Sequence, residues 1–178
     1  ESLAWLVTHN ESMSLAEFLT VHDGEGQTSY RPTVYFAYQP CPQACQSIAH
    51  WLGQHKQTPN AQNVMPLPDL QQGQDELGVL LCHGTGAFWY SSTLSLQAAR
   101  TLAPHNSATT LQVAAGIVGA VAWMLDHPRA GITEAEAMDS DQVLAVALPY
   151  LGLVGGTHTH WQPGPNLRFQ NFIASTTP

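Results

Sequence analysis

The sequence predicts an α+β fold in which helices pack on a mixed or antiparallel sheet. Three observations predict it. Short apolar runs rich in β-branched and aromatic residues alternate with turn residues, as in "TVYFAY" (Thr33–Tyr38) and in "ELGVLLCH" and "GAFWYSS" on either side of Gly84-Thr85-Gly86. Apolar residues at helical spacing fill other stretches, above all His105 to Pro128, which carries no charge before Asp126. Hydrophobic residues make up 44% of the 178 and charged ones only 10%, against about 25% charged in typical domains. A packed core under a weakly charged polar surface is therefore expected, not disorder.

In chain order, "LAWLVTH" (Leu3–His9) reads as a buried strand that ends in polar residues. "HDGEG" (His22–Gly26) is turn material, and Thr33–Tyr38 is a second strand. "CPQACQSIAHWLG" places Ala44, Cys45, Ile48, Ala49 and Leu52 on one helical stripe, with Gly53 as the stop. Residues 54–74 are rich in Gln, Asn and Pro and read as a long loop. The two runs around Gly84 to Gly86 make an antiparallel hairpin. A short helix at "SLQAARTLA" ends at Pro104, Asn106 or Ser107 caps a long helix that stops before Pro128, and two further starts follow. Thr133 with Glu136 has capping-box spacing, and Asp139 with Gln142 opens a helix reaching about Pro149. Residues 1–161 are read as one domain and 162–178 as a tail.

The uninterrupted apolar run of the long helix is Val113–Leu125, too short for a membrane span, which needs roughly 20 residues. Winding it at about 100° per residue separates two halves. Leu111, Val113, Ile117, Val118, Val121, Met124 and Leu125 share one, and Ala115, Gly116, Gly119, Ala120 and Ala122 share the other with Gln112 and Trp123. The bulky half is expected to fill this domain's core. The small half either lies under a second layer of the same domain or receives another domain or subunit.

The net charge of −8, with five Lys and Arg, argues against nucleic acid and anionic lipid as partners. Three cysteines make a disulfide scaffold an unsuitable reading and a reducing compartment the default. No secretory signal opens the chain, and its start at Glu1 hints at an origin inside a longer protein.

Several constellations have chemical potential. His9, Asn10 and Glu11 stand together in "THNESMS", where His9 suits acid, base or donor roles. The plainer reading is a loop in which Ser12 or Ser14 caps a turn. Asp75 and Glu76 open a strand, as a pair for an ammonium group or simply as solvated acids. In "GAFWYSS", strand alternation sends Trp89 to one face and Phe88 with Tyr90 to the other, and an aromatic face can hold a cation. Cys41 with Cys45, and His158 with His160, are the metal candidates, but neither has the second ligand pair of a zinc site. No G-x-G-x-x-G, Walker loop or G-x-S-x-G occurs.

The strings "LVTHNESMSLAEFLT", "RPTVYFAYQPC", "DELGVLL", "GAFWYSSTLSLQAARTLAPHNSATTLQVAAGIVGAVAW", "HPRAGI" and "PYLG" follow one another from about Trp5 to Trp161. In that order they resemble the C-terminal part of bacterial homospermidine synthase. Where this chain has Gln39-Pro40-Cys41 and His160-Trp161, the family usually has "HPC" and an acidic residue before the Trp. The resemblance implies a saccharopine dehydrogenase-like fold. There an NAD-binding Rossmann domain, absent from this chain, adjoins an α+β domain for substrate binding and dimerisation. It implies oxidation of putrescine with NAD, condensation with a second putrescine or related diamine, and re-reduction to homospermidine.

By the same resemblance His9 is a proton-transfer or amine-orienting group and Asp75 an ammonium anchor. Glu11, Glu76 and Trp89 are assigned to substrate, Asn106 to cofactor, and no residue to a metal. A cytoplasmic homodimer is implied, inactive without its NAD-binding half. The alternatives are a stand-alone polyamine-binding module without redox chemistry, and a metal-dependent hydrolase built on His158 and His160.

Overall fold

The structure, a computed structural model, describes residues 4–54 and 67–164. The predicted loop at 54–74 and tail at 162–178 lie largely outside these residues. The chain divides into two compact units, Glu1–Val64 and Met65–Pro178.

In the first unit, β1 (Trp5–Val7) pairs antiparallel with β4 (Phe36–Tyr38), with Trp5 opposite Tyr38 and Val7 opposite Phe36. Between them come α1 (Asn10–Phe18) and a hairpin of β2 (Val21–His22) and β3 (Thr28–Tyr30). The predicted turn closes that hairpin. The Asp23 carboxylate accepts the N–H of Glu25 at 3.0 Å and of Gln27 at 2.8 Å, and Gly26 takes the left-handed backbone (φ 79°) that its lack of a Cβ permits. Helix α2 (Pro42–Gly53) has the predicted bounds, with Pro in the first turn. The first strand is correct in place but not in burial, since Trp5, Leu6 and Val7 stay 39–45% exposed. A two-stranded ribbon offers no second layer to cover them.

The second unit is built on an antiparallel sheet in the order β5-β6-β7, comprising β5 (Gln74–His83), β6 (Gly86–Ser95) and β7 (Leu153–Thr159). Among the described residues all strand pairs are antiparallel, which selects one of the two predicted sheet types. Gly84-Thr85 forms the tight turn between β5 and β6. Strand β7 was not read from the sequence, because Gly155 and Gly156 at its centre are poor strand formers. The second glycine has a packing reason: a Cβ there would meet the Phe88 ring at 2.3 Å.

Capping sets the helix bounds. Ser95 Oγ accepts from the Ala98 N–H at the start of α3 (Leu96–Leu102). Ser107 Oγ, not Asn106, accepts from the Thr110 N–H at the start of α4 (Ala108–Asp126). The Asp139 carboxylate accepts from Asp141 and Gln142 at the start of α5 (Ser140–Ala147). The capping-box spacing at Thr133 yields only a single 3-10 turn, Ala135–Ala137. The positive φ of Gly131 before it and the Asp139 cap after it leave no room for a longer helix.

Helix α4 reverses the expectation drawn from its two halves. Its buried residues are Ala108, Leu111, Gln112, Ala115, Gly119 and Trp123, so the side carrying Ala115 and Gly119 faces the chain's own core, joined by Leu111 of the bulky half, while Gly116 of the small half is exposed. The bulky residues Val113, Ile117, Val118, Val121, Met124 and Leu125 are 42–76% exposed. Close approach explains the reversal. Gly119 lies so near α5 that a Cβ would stand 2.7 Å from the Val143 carbonyl oxygen. Gln112, only 2% exposed, donates through Nε2 to Ser92 Oγ of β6 at 2.7 Å. Leu94, Ala99, Ala108 and Leu111 form the core cluster between sheet and helices. By length and composition alone α4 would also cross a membrane, as many core helices would.

The two glycines of α4 are expected to respond with opposite signs. Gly119→Ala forces its methyl against Val143 and lowers the unfolding free energy by about 1–3 kcal/mol. Gly116→Ala meets nothing within 4 Å and raises it by about 1 kcal/mol through helix propensity. Urea unfolding followed by circular dichroism measures both, and a stabilising Gly119→Ala would show that α5 is not seated there.

Candidate functional site

The chemistry-bearing residues form one group in each unit. In the first, "THNESMS" is not a loop: His9 is the N-cap of α1, with extended backbone (φ −147°, ψ 141°), and Ser12 and Ser14 lie inside the helix. The imidazole stacks on Phe36 of β4, with ring centroids 4.2 Å apart and planes at 11°. Its Nδ1 meets the Glu11 carboxylate. A carboxylate at Nδ1 favours the tautomer with the proton there and leaves Nε2 to exchange a proton or accept one from an amine. Glu11 is also an acidic residue in the first turn of a helix, where the helix dipole favours it. His9 is 42% exposed and Glu11 56%, so the pair is open to solvent and to ligands. Phe36 was not singled out from the sequence, since an aromatic in a strand reads as core.

In the second unit, strand alternation separates the two acids taken above as a possible pair. Asp75 stands opposite Leu94 and Glu76 opposite Thr93, so they project to opposite faces of the sheet. They do not grip one ammonium group together. Glu76 Oε1 instead accepts a hydrogen bond from Trp89 Nε1 at 3.1 Å. The indole reaches it by lying across Gly78, where a Cβ would be 2.5 Å from Trp89 Cζ2 and Cη2. Trp89 is thus held in one orientation, half-buried, with a carboxylate at its edge. Gly78 makes this possible, and the sequence signal was a glycine inside a strand pattern, which marks close approach.

Asp75 faces the side of the sheet on which Gln112 of α4 bonds Ser92. Its Oδ2 is buried and has no hydrogen-bond partner among the described residues. An unmatched carboxylate oxygen is costly to keep out of water and is the kind of group that a bound cationic donor satisfies. Asn106 lies in the turn before α4, half-buried, next to His105 at a positive φ of 70°. Its N–H is donated to Ala103 O at 3.2 Å. A cavity of about 360 Å³ nearby is lined by Pro68, Arg100, Pro104 and His105.

Neither metal candidate gains ligands. Cys45 directs its thiol to Pro40 O at 3.9 Å, and His158 packs on Phe88 with centroids 4.9 Å apart. Among the described residues no three His, Cys, Asp or Glu side chains converge as a metal site requires.

In sequence and in its α+β fold the chain is similar to part of the homospermidine synthases. Homospermidine synthase of Blastochloris viridis is 45% identical over 160 residues, 89% of this chain and 33% of that protein. Homospermidine synthase of Mesorhizobium japonicum is 44% identical over 159 residues, again 89% and 33%. The crystal structure of the Legionella pneumophila homospermidine synthase in complex with NAD matches 92% of this chain and 35% of that one, at 44% identity and a TM-score of 0.82. The chain therefore spans about a third of the length of the relatives it matches. No protein-family model matches it.

Two substitutions test the geometry of the second group. Gly78→Ala drives the indole off the strand, breaks its bond to Glu76 and costs about 1–3 kcal/mol, read as lost near-ultraviolet circular dichroism and a lower urea midpoint. Asp75→Asn replaces a half-buried carboxylate whose Oδ2 is unmatched and raises the unfolding free energy by about 1 kcal/mol. A destabilised Asp75→Asn variant would mean that the carboxylate already has a partner.

Proposed function

We propose that the chain is the substrate-binding and dimerisation part, residues 1–161, of an NAD-dependent homospermidine synthase with a saccharopine dehydrogenase-like architecture. The observation that carries this reading is the match to homospermidine synthases at 44–45% identity over 89% of the chain. A TM-score of 0.82 to the NAD-bound Legionella pneumophila enzyme supports it. The overall reaction couples two putrescines, or related diamines, into homospermidine with release of ammonia. We place it in the cytoplasm, in a homodimer.

The described residues do not themselves fit a dinucleotide. No G-x-G-x-x-G occurs in this sequence, and among the described residues no strand pair is parallel. NAD is then held mainly by polypeptide outside the third of the relatives that these residues match, with Asn106 as a contact from within it. NAD supplies hydride acceptance and return. This chain's residues bind and orient amines.

His9, fixed at Nδ1 by Glu11 and stacked on Phe36, presents Nε2 to take a proton from an ammonium or return it. Asp75 offers a buried, unmatched oxygen to a cationic amine, a charge-assisted bond stronger than a neutral one. Glu76 and the face of Trp89 give a second amine a carboxylate and a π surface, a contact of about 0.5–2 kcal/mol.

Mixing this chain with the NAD-binding portion of a homospermidine synthase, NAD and putrescine is expected to yield homospermidine, detected by mass spectrometry. In the complete enzyme His9→Ala and Asp75→Asn should each lower turnover at least tenfold, about 1.4 kcal/mol of transition-state stabilisation. Near-wild-type rates in both would remove these two assignments. Saturable putrescine binding by the chain alone, with no product in the mixture, would point instead to a binding module.

A further inference from the structure

Three buried side-chain atoms of the second unit have no hydrogen-bond partner among the described residues: Asp75 Oδ2, Gln112 Oε1 and Trp123 Nε1. Two accept and one donates. The indole cannot serve the amide, because Trp123 lies about three turns further along α4, roughly 16 Å of helix.

The orientation of the Gln112 amide is fixed by what it touches. Its Nε2 donates to Ser92 Oγ at 2.7 Å and to the Ser92 carbonyl oxygen at 3.4 Å. The Ser92 hydroxyl has a single proton and donates it to the Leu151 carbonyl oxygen at 2.6 Å. Turning the amide over would set Oε1 against two oxygens with no proton to offer it. Oε1 is therefore left as an unmatched acceptor on a side chain only 2% exposed, where a missing donor is costly. Asp75 belongs to the same layer. Opposite Leu94 in the register, it shares the sheet face of Ser92 and is its diagonal neighbour, about 7–8 Å away between backbones. Asp75 is half-buried where Gln112 is fully buried, so a small group bridging the two oxygens enters from the Asp75 end.

We infer that Gln112 Oε1 is the second acceptor for the ammonium group that Asp75 anchors, and that it makes this subsite selective for primary amines. The inference rests on the reading of Asp75 as an amine anchor. A primary ammonium has three N–H donors, one for Asp75 Oδ2, one for Gln112 Oε1 and one to spare. The carboxylate supplies most of the attraction, and the neutral amide supplies direction. A tertiary ammonium has one N–H, which Asp75 takes, and it turns a methyl group toward Oε1. A site built to hydrogen-bond its ligand rejects an analogue without the donor far more strongly than an apolar pocket rejects a change of size. Ser92 is a positioning residue here: it touches no amine but holds the amide with its oxygen facing the gap. A trapped water also donates to two acceptors, and the test separates it from an amine.

Putrescine is compared with N,N,N′,N′-tetramethylputrescine, a dication of the same chain length, by isothermal titration calorimetry on the complete enzyme. Gln112→Met keeps the length of the side chain and removes its polar atoms. It should reduce the preference for putrescine at least about tenfold. Ser92→Ala frees the amide to turn and should reduce the preference by about threefold. Asp75→Asn should weaken both ligands, since both donate to that carboxylate, and unchanged affinity for both removes the anchor and the inference with it. An unchanged preference in Gln112→Met, with a lower urea midpoint, means that Gln112 holds a structural water only and overturns the inference.

If neither Gln112→Met nor Ser92→Ala folds, the wild-type enzyme is read by nuclear magnetic resonance. The Gln112 side-chain amide signal should move with putrescine and stay in place with the tetramethyl analogue, and the same response to both overturns the inference. A Gln112-dependent preference without homospermidine formation would sink the functional reading and leave the primary-amine subsite standing. Homospermidine formation with a preference indifferent to Gln112 would do the reverse.

Discussion

The close seat of α4 against its own unit is the contact on which the second half of the molecule depends. A helix presenting Gly119 and Ala115 inward lets the Val143 backbone of α5 approach to van der Waals distance. The same side places Gln112 within reach of Ser92 in the sheet. Small residues give little apolar area each, but they shorten the interaxial distance, so the many weak contacts of two backbones replace a few large side chains. The bulky residues are thereby displaced to the outside. Glycine in a helix costs about 1 kcal/mol relative to alanine, and at Gly119 the approach of α5 offsets that cost.

Boundaries were legible in the sequence where a local interaction sets them. Ser107 and Pro128 frame α4, Asp139 opens α5, and Gly84-Thr85 turns β5 into β6, because each acts on backbone groups within a few residues. Strand β7 was hidden by Gly155 and Gly156, whose reason is the ring of Phe88, far away in sequence. Which half of α4 faces inward was also hidden. Hydrophobicity says what gains from burial, but not whether this chain has the surface to bury it. The exposure of Trp5, Leu6 and Val7 has the same origin.

The candidate site divides in the same way. His9 and Glu11 could be associated from their spacing, but the stacking on Phe36 depends on β1 pairing with β4. The bond from Trp89 to Glu76 spans 13 positions and exists only because the hairpin register brings both to one face. That Asp75 and Glu76 diverge follows from a two-residue period that is visible in the sequence once the strand is known to begin at Gln74.

That period gives the β5–β6 turn an influence far from where it sits. Adding or removing one residue at Gly84-Thr85 would shift the ladder by a single step, and every side chain of β5 would change sides. Asp75 and Glu76 would then exchange environments, the one losing its buried niche and the other its indole. A loop nine residues distant, with no chemistry of its own, thus acts as the key that tells two neighbouring acids apart.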